Sequence, residues 1–558
     1  MLDKIESLIK KSSTAILLLT LLGVIVYANC LPNEMFWDDD DFILKNLFLT
    51  DWKYWPHFFT DNLIAGNHLV CNYWRPLLQI VFAIEWHLWA DWAPGWHAVS
   101  VFFHILAGAA LFKCLDLLFT NRALAFLCAA MFIVHPAQTE AVVYPNSLGD
   151  ALAAGLMFWG TYAYARHHKT GARGWWWIAL LMYPLALMSK ETGILLLGYL
   201  ALAEFFVLQQ EGAFFIKCWR TLRNLWPFII TAAGYLLLRA TVLNFANSFN
   251  FYKEPTAFTS HFGLRLTSFF QTLAAYTGLL FIPYDLRVER VIQPPAKLFT
   301  PDELFGAAIF LILVYLIIRC WTKRPLISFG ILWFFVSILP TSNLIVVINA
   351  ILYEHFLYTA LIGVFWALFW TGLTWAQTAE RKRFFWGIAL TVIALFAGRS
   401  LWRTFDWRTA IGFYEKLIVT APDSYRVINN LGMEYAEKGR LVEAEATYKK
   451  AVTLDPTNAV AYHNLGNLCQ ASGRRKDAIA YFEQAIARQK NFIFSYKPLA
   501  KLYLDSNDYP NARRVLEQFY AYTDEREMVL KTLVAIAQRQ SDNAAVQRYS
   551  QILSKLHL

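Results

Sequence analysis

Four consecutive aspartates, Asp38 to Asp41, follow the first apolar stretch of the chain in the run Phe36-Trp37-Asp38-Asp39-Asp40-Asp41-Phe42. Stacked carboxylates repel one another and resist burial, so a run placed where a membrane helix ends belongs at the water interface. A carboxylate there can take the proton from an attacking hydroxyl, which makes Asp38 and Asp39 candidate catalytic bases. The bland alternatives are a solvated acidic loop or N-caps for the next element. Further ionisable residues fall near the ends of apolar stretches or in their connections: Arg75, His135 with Glu140, Asp150, Lys190 with Glu191, Arg287 with Glu289 and Arg290, and Glu354 with His355. Lys and Arg neutralise a phosphate leaving group, so the set reads as a site for transfer from a phosphate. The competing reading is that neighbours pair privately: Lys190 with Glu191, Arg287 with Glu289, Glu354 with His355. His135 has no second His or Cys at ligand spacing, which disfavours zinc. Walker, glycine-fingerprint and serine-elbow patterns are absent from the sequence, which disfavours a nucleotide-driven pump.

The elements that must position these residues are apolar helices. Of the 558 residues 57% are hydrophobic and only 16% charged, too apolar for a soluble protein of this size. The apolar runs are about twenty residues long, the length of a membrane helix rather than a barrel strand. Aromatic residues make up 17%, with 22 Trp, which suits interfacial belts. The net charge of +9 sits in short loops, as the positive-inside rule asks, and does not call for nucleic acid. None of the seven cysteines has metal or CxxC spacing, and only Cys30 and Cys71 could meet on the outer side.

Lys4, Lys10 and Lys11 precede the first apolar run without a small-residue cleavage site, which reads as an uncleaved signal anchor that delivers Asp38 outside. Residues 32–95 read as an outer loop with helices on the membrane surface. Spans are expected near 14–31, 96–119, 122–143, 148–165, 175–190, 192–209, 224–242, 303–320, 325–340, 357–376 and 384–402. The stretch 264–283 fits the outer interface or a re-entrant piece, giving about eleven spans with the C-terminus outside. In this topology the ionisable clusters share one side, where charge at a membrane edge is costly unless it is paired or lines a hydrated cavity.

After Trp407 the composition turns soluble. Asn430-Leu431-Gly432 recurs as Asn464-Leu465-Gly466, and more weakly as Pro498-Leu499-Ala500, each 34 residues on. Tyr435, Ala444, Tyr448, Ala451 and Pro456, then Ala478, Phe482 and Ala485, then Tyr503 and Ala512 complete a tetratricopeptide pattern. Ala410, Tyr414 and Pro422 fit an earlier partial unit, and 527–558 a degenerate cap. The expected fold is all-α: a polytopic helical bundle over 1–405 and a repeat solenoid over 406–558.

Several motifs occur together in a known order: Trp37-Asp38-Asp39 with Ile43 and Asn46; Tyr73-Trp74-Arg75-Pro76-Leu77; His97 with His104; His135-Pro136-Ala137-Gln138-Thr139-Glu140; Ser189-Lys190-Glu191; and Leu339-Pro340-Thr341-Ser342-Asn343 before Tyr353-Glu354-His355. In this the chain resembles the transmembrane and tetratricopeptide-repeat (TMTC) proteins and their bacterial relatives over nearly its whole length. The resemblance implies a GT-C type glycosyltransferase that takes a sugar, mannose in the eukaryotic proteins, from a polyprenyl phosphate to Ser or Thr of exported proteins. It places Asp38 and Asp39 on the acidic pair of the first outer loop, and Arg75, Lys190, Arg287 and His355 toward the donor phosphate. Asp40 and Asp41 extend the pair, Ser147-Leu148-Gly149-Asp150 stands for the usual Gly-Arg-Ala-Asp, and His355 for a common Arg, a weaker phosphate contact when neutral. The expected reaction is a single displacement with inversion. No metal is obligatory, although adjacent aspartates could bind a divalent cation. The repeats would hold an acceptor polypeptide, in a bacterial inner membrane protein with site and repeats on the extracytoplasmic side. The alternatives are a transferase acting on a glycan or lipid, and a non-catalytic membrane-anchored scaffold.

Overall fold

Backbone removed from water must bond to itself, so apolar runs of this length condense as helices. The computed structural model describes residues 2–209, 211–245, 257–288, 300–348 and 350–556, and among them there is no β-strand. The chain forms two compact units, Met1–Thr409 and Ala410–Leu558. Counting helices of nine residues or more, the first unit contains α1 (Ser12–Tyr27), α2 (Pro76–Trp89), α3 (Ala93–Phe119), α4 (Arg122–Val134), α5 (Leu148–Thr170), α6 (Arg173–Ser189), α7 (Leu195–Ala203), α8 (Phe214–Ala240), α9 (Phe262–Phe281), α10 (Pro301–Cys320), α11 (Pro325–Ile338), α12 (Ala360–Trp375) and α13 (Ala379–Thr404).

Each expected span coincides with a helix, yet fewer than eleven qualify as membrane spans by length and composition. Five stretches do, Ser12–Cys30, Ala93–Phe119, Glu191–Leu208, Pro301–Cys320 and Ala379–Trp407, or six if Arg122–Val134 and Pro136–Val143, bent by 54°, count as one. The others are short, as α11 and α12 are, or carry charge, as α8 does with Lys217, Arg220, Arg223 and Arg239. These apolar helices make the chain a multi-pass membrane protein. The stretch 264–283, expected at the outer interface or as a re-entrant piece, is the unbroken twenty-residue helix α9, and it is not among the stretches that qualify as spans. It packs so tightly on α10 that a Cβ at Gly306 would overlap the Phe270 carbonyl.

The bend after α4 has a local cause. Pro136 lacks an N–H and pushes the preceding residue out of the helical region, and His135 is indeed extended at φ −65°, ψ 129°. Residues 139–147 then run into α5 as a five-residue helix and a single tight turn rather than as one helix. The first and last helices meet at the same end of the bundle: Asn29 donates to the Leu401 carbonyl at 3.2 Å, and Asn33 to that of Thr404 at 3.2 Å. This seats residues 36–41 beside Trp407, whose ring lies 6.0 Å from Phe36.

Residues 32–95 have a small core of their own, with Phe42, Ile43, Leu49, Phe58, Leu63, Phe82 and Trp96 buried together. Asn46 ties it: its amide donates to the carbonyls of Phe42 and Leu63, and its oxygen accepts from the Phe48 N–H. All seven cysteines are free thiols, so Cys30 and Cys71 do not pair.

In the second unit the helices pair as the repeat requires, with Gly432 facing the Tyr448 ring and Gly466 the Phe482 ring; an added Cβ at either glycine would come within 2.6 Å of that ring. The turn between the two helices of each repeat passes through a left-handed residue, Gly439, Gly473, Asn507 and Ser541, with φ of 75°, 73°, 59° and 57°. The N–H that follows each of them closes the helix end, Arg440 on Tyr435, Arg474 on Cys469, Asp508 on Tyr503 and Asp542 on Ala537. The stretch read as a degenerate cap is therefore a complete helix pair, Arg526–Arg539 and Asn543–Lys555, with the repeat's own turn.

Candidate active site

One stretch, residues 140–150, contains two candidates, Glu140 and Asp150, and bonds four others. Glu140 accepts from His355 Nδ1 at 2.8 Å, and the Tyr144 hydroxyl accepts the Asp38 N–H at 2.9 Å. The Asn146 N–H donates to Asp39 at 2.9 Å, and Asp150 receives Lys190 Nζ at 2.6 Å. Because Pro136 and Pro145 break the helix, side chains of this stretch leave in several directions instead of along one helical stripe.

The four aspartates separate by environment. Asp39 is 1% exposed, and both its oxygens accept backbone N–H groups, from Asn146 and, at 3.4 Å, from Phe36. Burial pushes its carboxyl well above the usual range, those two N–H bonds oppose the shift, and Asp38 and Asp40 add to it. Asp40 pairs with Lys45 at 2.7 Å, and Asp41 accepts from Asn67 at 2.8 Å. Asp38 is only half-buried, so of the predicted pair it is the one open to solvent. The residue before it, Trp37, sits at φ 63°, a strained backbone for a bulky side chain. Such strain persists only where surroundings enforce it, here the two Asp39 bonds, the Tyr144 hydroxyl and ring packing of Trp37 on Tyr144 at 6.4 Å.

Arg75 and Glu191 form a forked pair, with Nη2 2.7 Å and Nε 3.0 Å from one carboxylate oxygen, while the guanidinium lies 4.3 Å from the Tyr73 ring centre. Burial lifts the Tyr73 phenol to about 12; Arg75 pulls against the shift, and Glu191, Cys71 and Asp38 add to it. The charge of Asp38 thus reaches the Arg75 pair's own neighbour. The charge of Asp150 acts on Arg75 in turn, which draws the Lys190 pair into the same cluster. The Tyr144 phenol is raised by burial first and then by Asp38 and Asp39.

Two of the three private pairs suggested by sequence give way to other partners. Lys190 bonds Asp150 rather than Glu191, and His355 bonds Glu140 rather than Glu354. Lys190 is extended at φ −159°, ψ 151°, so it and Glu191 point to opposite sides of the chain. That sharp break is possible because Gly193 lies against Ala186, where a Cβ would come within 2.4 Å of its carbonyl carbon. Glu289 and Arg290 lie outside the described residues.

Two predicted residues stand elsewhere. His135 is fully buried, with Nε2 on the Leu280 carbonyl at 3.1 Å and Nδ1 accepting the Ala137 N–H at 3.2 Å, so both nitrogens serve the fold and neither is left for a ligand. Arg287 pairs with Asp285 at 2.6 Å, and its backbone N–H donates to Glu354. Glu354 in turn lies 3.9 Å from Arg403, which also holds Asp406 at 2.9 Å, a second cluster beside His355. Sequence reasoning missed Tyr144, Asn146, Arg239, Arg399 and Arg403. Arg239 is buried in α8 and donates to the carbonyls of Leu243 and Asn72; the last three carry the one detectable signal, an arginine near the end of an apolar helix. Among the described residues no three His, Cys, Asp or Glu side chains converge as metal donors.

The family model described as "Tetratricopeptide repeat" matches residues 423–491. Over 442 residues the chain is 24% identical to a protein O-mannosyl-transferase of Caenorhabditis elegans, covering 78% of this chain and 61% of that protein. It is 23% identical to protein O-mannosyl-transferase TMTC4 of Homo sapiens, covering 76% and 64% respectively. Against protein O-mannosyl-transferase Tmtc1 of Drosophila melanogaster the identity is 22%, covering 77% and 60%. The chain thus spans less than two-thirds of the length of these relatives. It is TMTC-like over about three-quarters of its own length.

Proposed function

We propose that the chain is a membrane glycosyltransferase of GT-C type that moves a sugar, mannose by the names of its relatives, from a polyprenyl phosphate to Ser or Thr hydroxyls of exported proteins, on the extracytoplasmic side. The observation that carries this reading is the 140–150 stretch, which ties Asp38, Asp39, Lys190 and His355 to one another through four side-chain or backbone bonds. A scaffold has no use for so many ionisable groups gathered at a bilayer edge.

Asp38 is the general base. Its carboxylate takes the proton of the acceptor hydroxyl as that oxygen attacks the anomeric carbon and the bond to the phosphate oxygen breaks. One displacement inverts the anomeric carbon, and the polyprenyl phosphate leaves as the anion. Asp39 positions the base by fixing the backbone on either side of it. Arg75 spends Nε and Nη2 on Glu191, which leaves Nη1 for the leaving phosphate, and Lys190 retains two further N–H donors beyond Asp150. Glu140 orients His355 through Nδ1, and with both ring nitrogens protonated Nε2–H would donate to the same phosphate. The reading asks for no metal. The repeats would bind the acceptor polypeptide in their concave face.

The test is the product's anomeric configuration after incubation of the purified chain with polyprenyl-phosphate mannose and a Ser/Thr-rich peptide from an exported protein. Inversion is expected. Retention would replace the single displacement with a covalent enzyme intermediate, and absence of product with every polyprenyl-phosphate sugar tried would remove the reading.

A further inference from the structure

A groove of about 380 Å³ lies among α4, α9, α12 and α13, lined throughout by apolar side chains such as Met131, Phe281, Phe365, Ala389, Val392 and Phe396. None of residues 140–150 lines it. The α13 contribution recurs at helical spacing, 385, 388, 389, 392, 395 and 396, which makes one continuous stripe. The stripe's next position toward the C-terminus is Arg399, one turn beyond Phe396. On the facing side, Tyr284 follows the lining residue Phe281 by three positions, and its carbonyl accepts from Arg399 Nη2 at 3.0 Å. The groove therefore ends at a guanidinium.

That guanidinium is incompletely used. Among the described residues its Nη1 is buried without an acceptor while its Nη2 bond is exposed, and the neighbouring Arg403 pairs with Asp406 at 2.9 Å. An apolar trough on membrane helices, open where Leu368, Ile388 and Leu395 are exposed and with an arginine one turn beyond its end, matches an aliphatic chain joined to a phosphate.

We infer that the groove binds one anionic phospholipid of the surrounding bilayer, an acyl chain against Phe365, Val392 and Phe396 and its phosphate on Arg399. The bound lipid would brace α13 against the 282–288 segment, whose Arg287 N–H reaches Glu354 beside His355. The inference stands without the proposed transfer reaction.

The test is native mass spectrometry of the full-length chain in detergent doped with phosphatidylglycerol or, separately, phosphatidylcholine. One phosphatidylglycerol is expected to be retained at ratios where phosphatidylcholine is lost. Arg399→Gln should weaken retention at least about tenfold, as loss of one charge-assisted bond implies. Arg399→Lys should keep part of it, and Ala389→Phe, which fills the groove and leaves the charge, should abolish it. Equal retention of the two lipids, or full retention by both Arg399→Gln and Ala389→Phe, would overturn the inference. Displacement by equimolar polyprenyl phosphate would overturn it too, giving the groove to the donor's chain.

Discussion

Replacing Asp39 by Asn separates structure from chemistry at the acidic run. The carboxylate now accepts two backbone N–H groups, from Asn146 at 2.9 Å and from Phe36 at 3.4 Å, in a setting 1% exposed. Asparagine has the same shape but only one accepting oxygen, so one N–H would face the new NH2, donor against donor. A buried donor left unmade costs about 1–3 kcal/mol. Those bonds also hold Trp37 at φ 63°, a conformation that itself stores about 1–3 kcal/mol. The expected result is a clear fall in Tm together with partial loss of transfer, because the peptide that carries Asp38 relaxes. Asp38→Asn, by contrast, removes a half-buried carboxylate and leaves these bonds in place, so Tm should hold while transfer falls about 10²–10⁴-fold. Thermal melts and initial rates on the two purified variants decide it. If Asp39→Asn melts like wild type and yet loses as much transfer as Asp38→Asn, Asp39 takes part in the chemistry and its role as a positioning residue is refuted.

Three further outcomes concern stability. Glu85 on α2 is buried with neither oxygen bonded among the described residues, and burial pushes its carboxyl well above the usual range. The folded group therefore keeps a proton the unfolded one has lost, and stability falls as pH rises above about 4.5. Glu85→Gln should raise the melting point at neutral pH, by about 1–3 kcal/mol of stability, with the gain shrinking toward pH 5; an equal gain at both pH values would refute the cause. Gly466→Ala sets a methyl within 2.6 Å of Phe482 and should destabilise the repeat unit by about 1–3 kcal/mol, read by thermal melt of the full chain. Ser541→Gly should stabilise it by about 1 kcal/mol, since Ser541 holds the left-handed turn that glycine fills at 439 and 473; unchanged hydrogen exchange in the last helix pair would count against this.

What sequence revealed and what it hid follow from the range of the interactions involved. The repeats announce themselves because Gly432 and Tyr448, or Gly466 and Phe482, are near in sequence and recur every 34 residues. Apolar helices are equally legible, because hydropathy is a local property; whether each one crosses a bilayer is not, since the shortness of α12 or the charge on α8 changes the outcome. At the site, residue types were readable and partners were not. Lys190 and Glu191 look like a pair until the extended backbone between them sends one to Asp150 and the other to Arg75. Asp38 and Asp39 are chemically identical neighbours, and the fold buries one of them against the N–H of Asn146, more than a hundred residues on. His135 looked like a binding group because it is a polar residue beside a membrane, yet the Leu280 carbonyl that satisfies it is 145 positions away.

The most direct measurement is the initial rate of sugar transfer to a Ser/Thr peptide by wild-type and Asp38→Asn protein, purified together, supplied with the same polyprenyl-phosphate mannose and read as glycopeptide mass. The account predicts glycopeptide from wild type and about 10²–10⁴-fold less from the variant, with both proteins melting at the same temperature. Equal rates from the two folded proteins would contradict it.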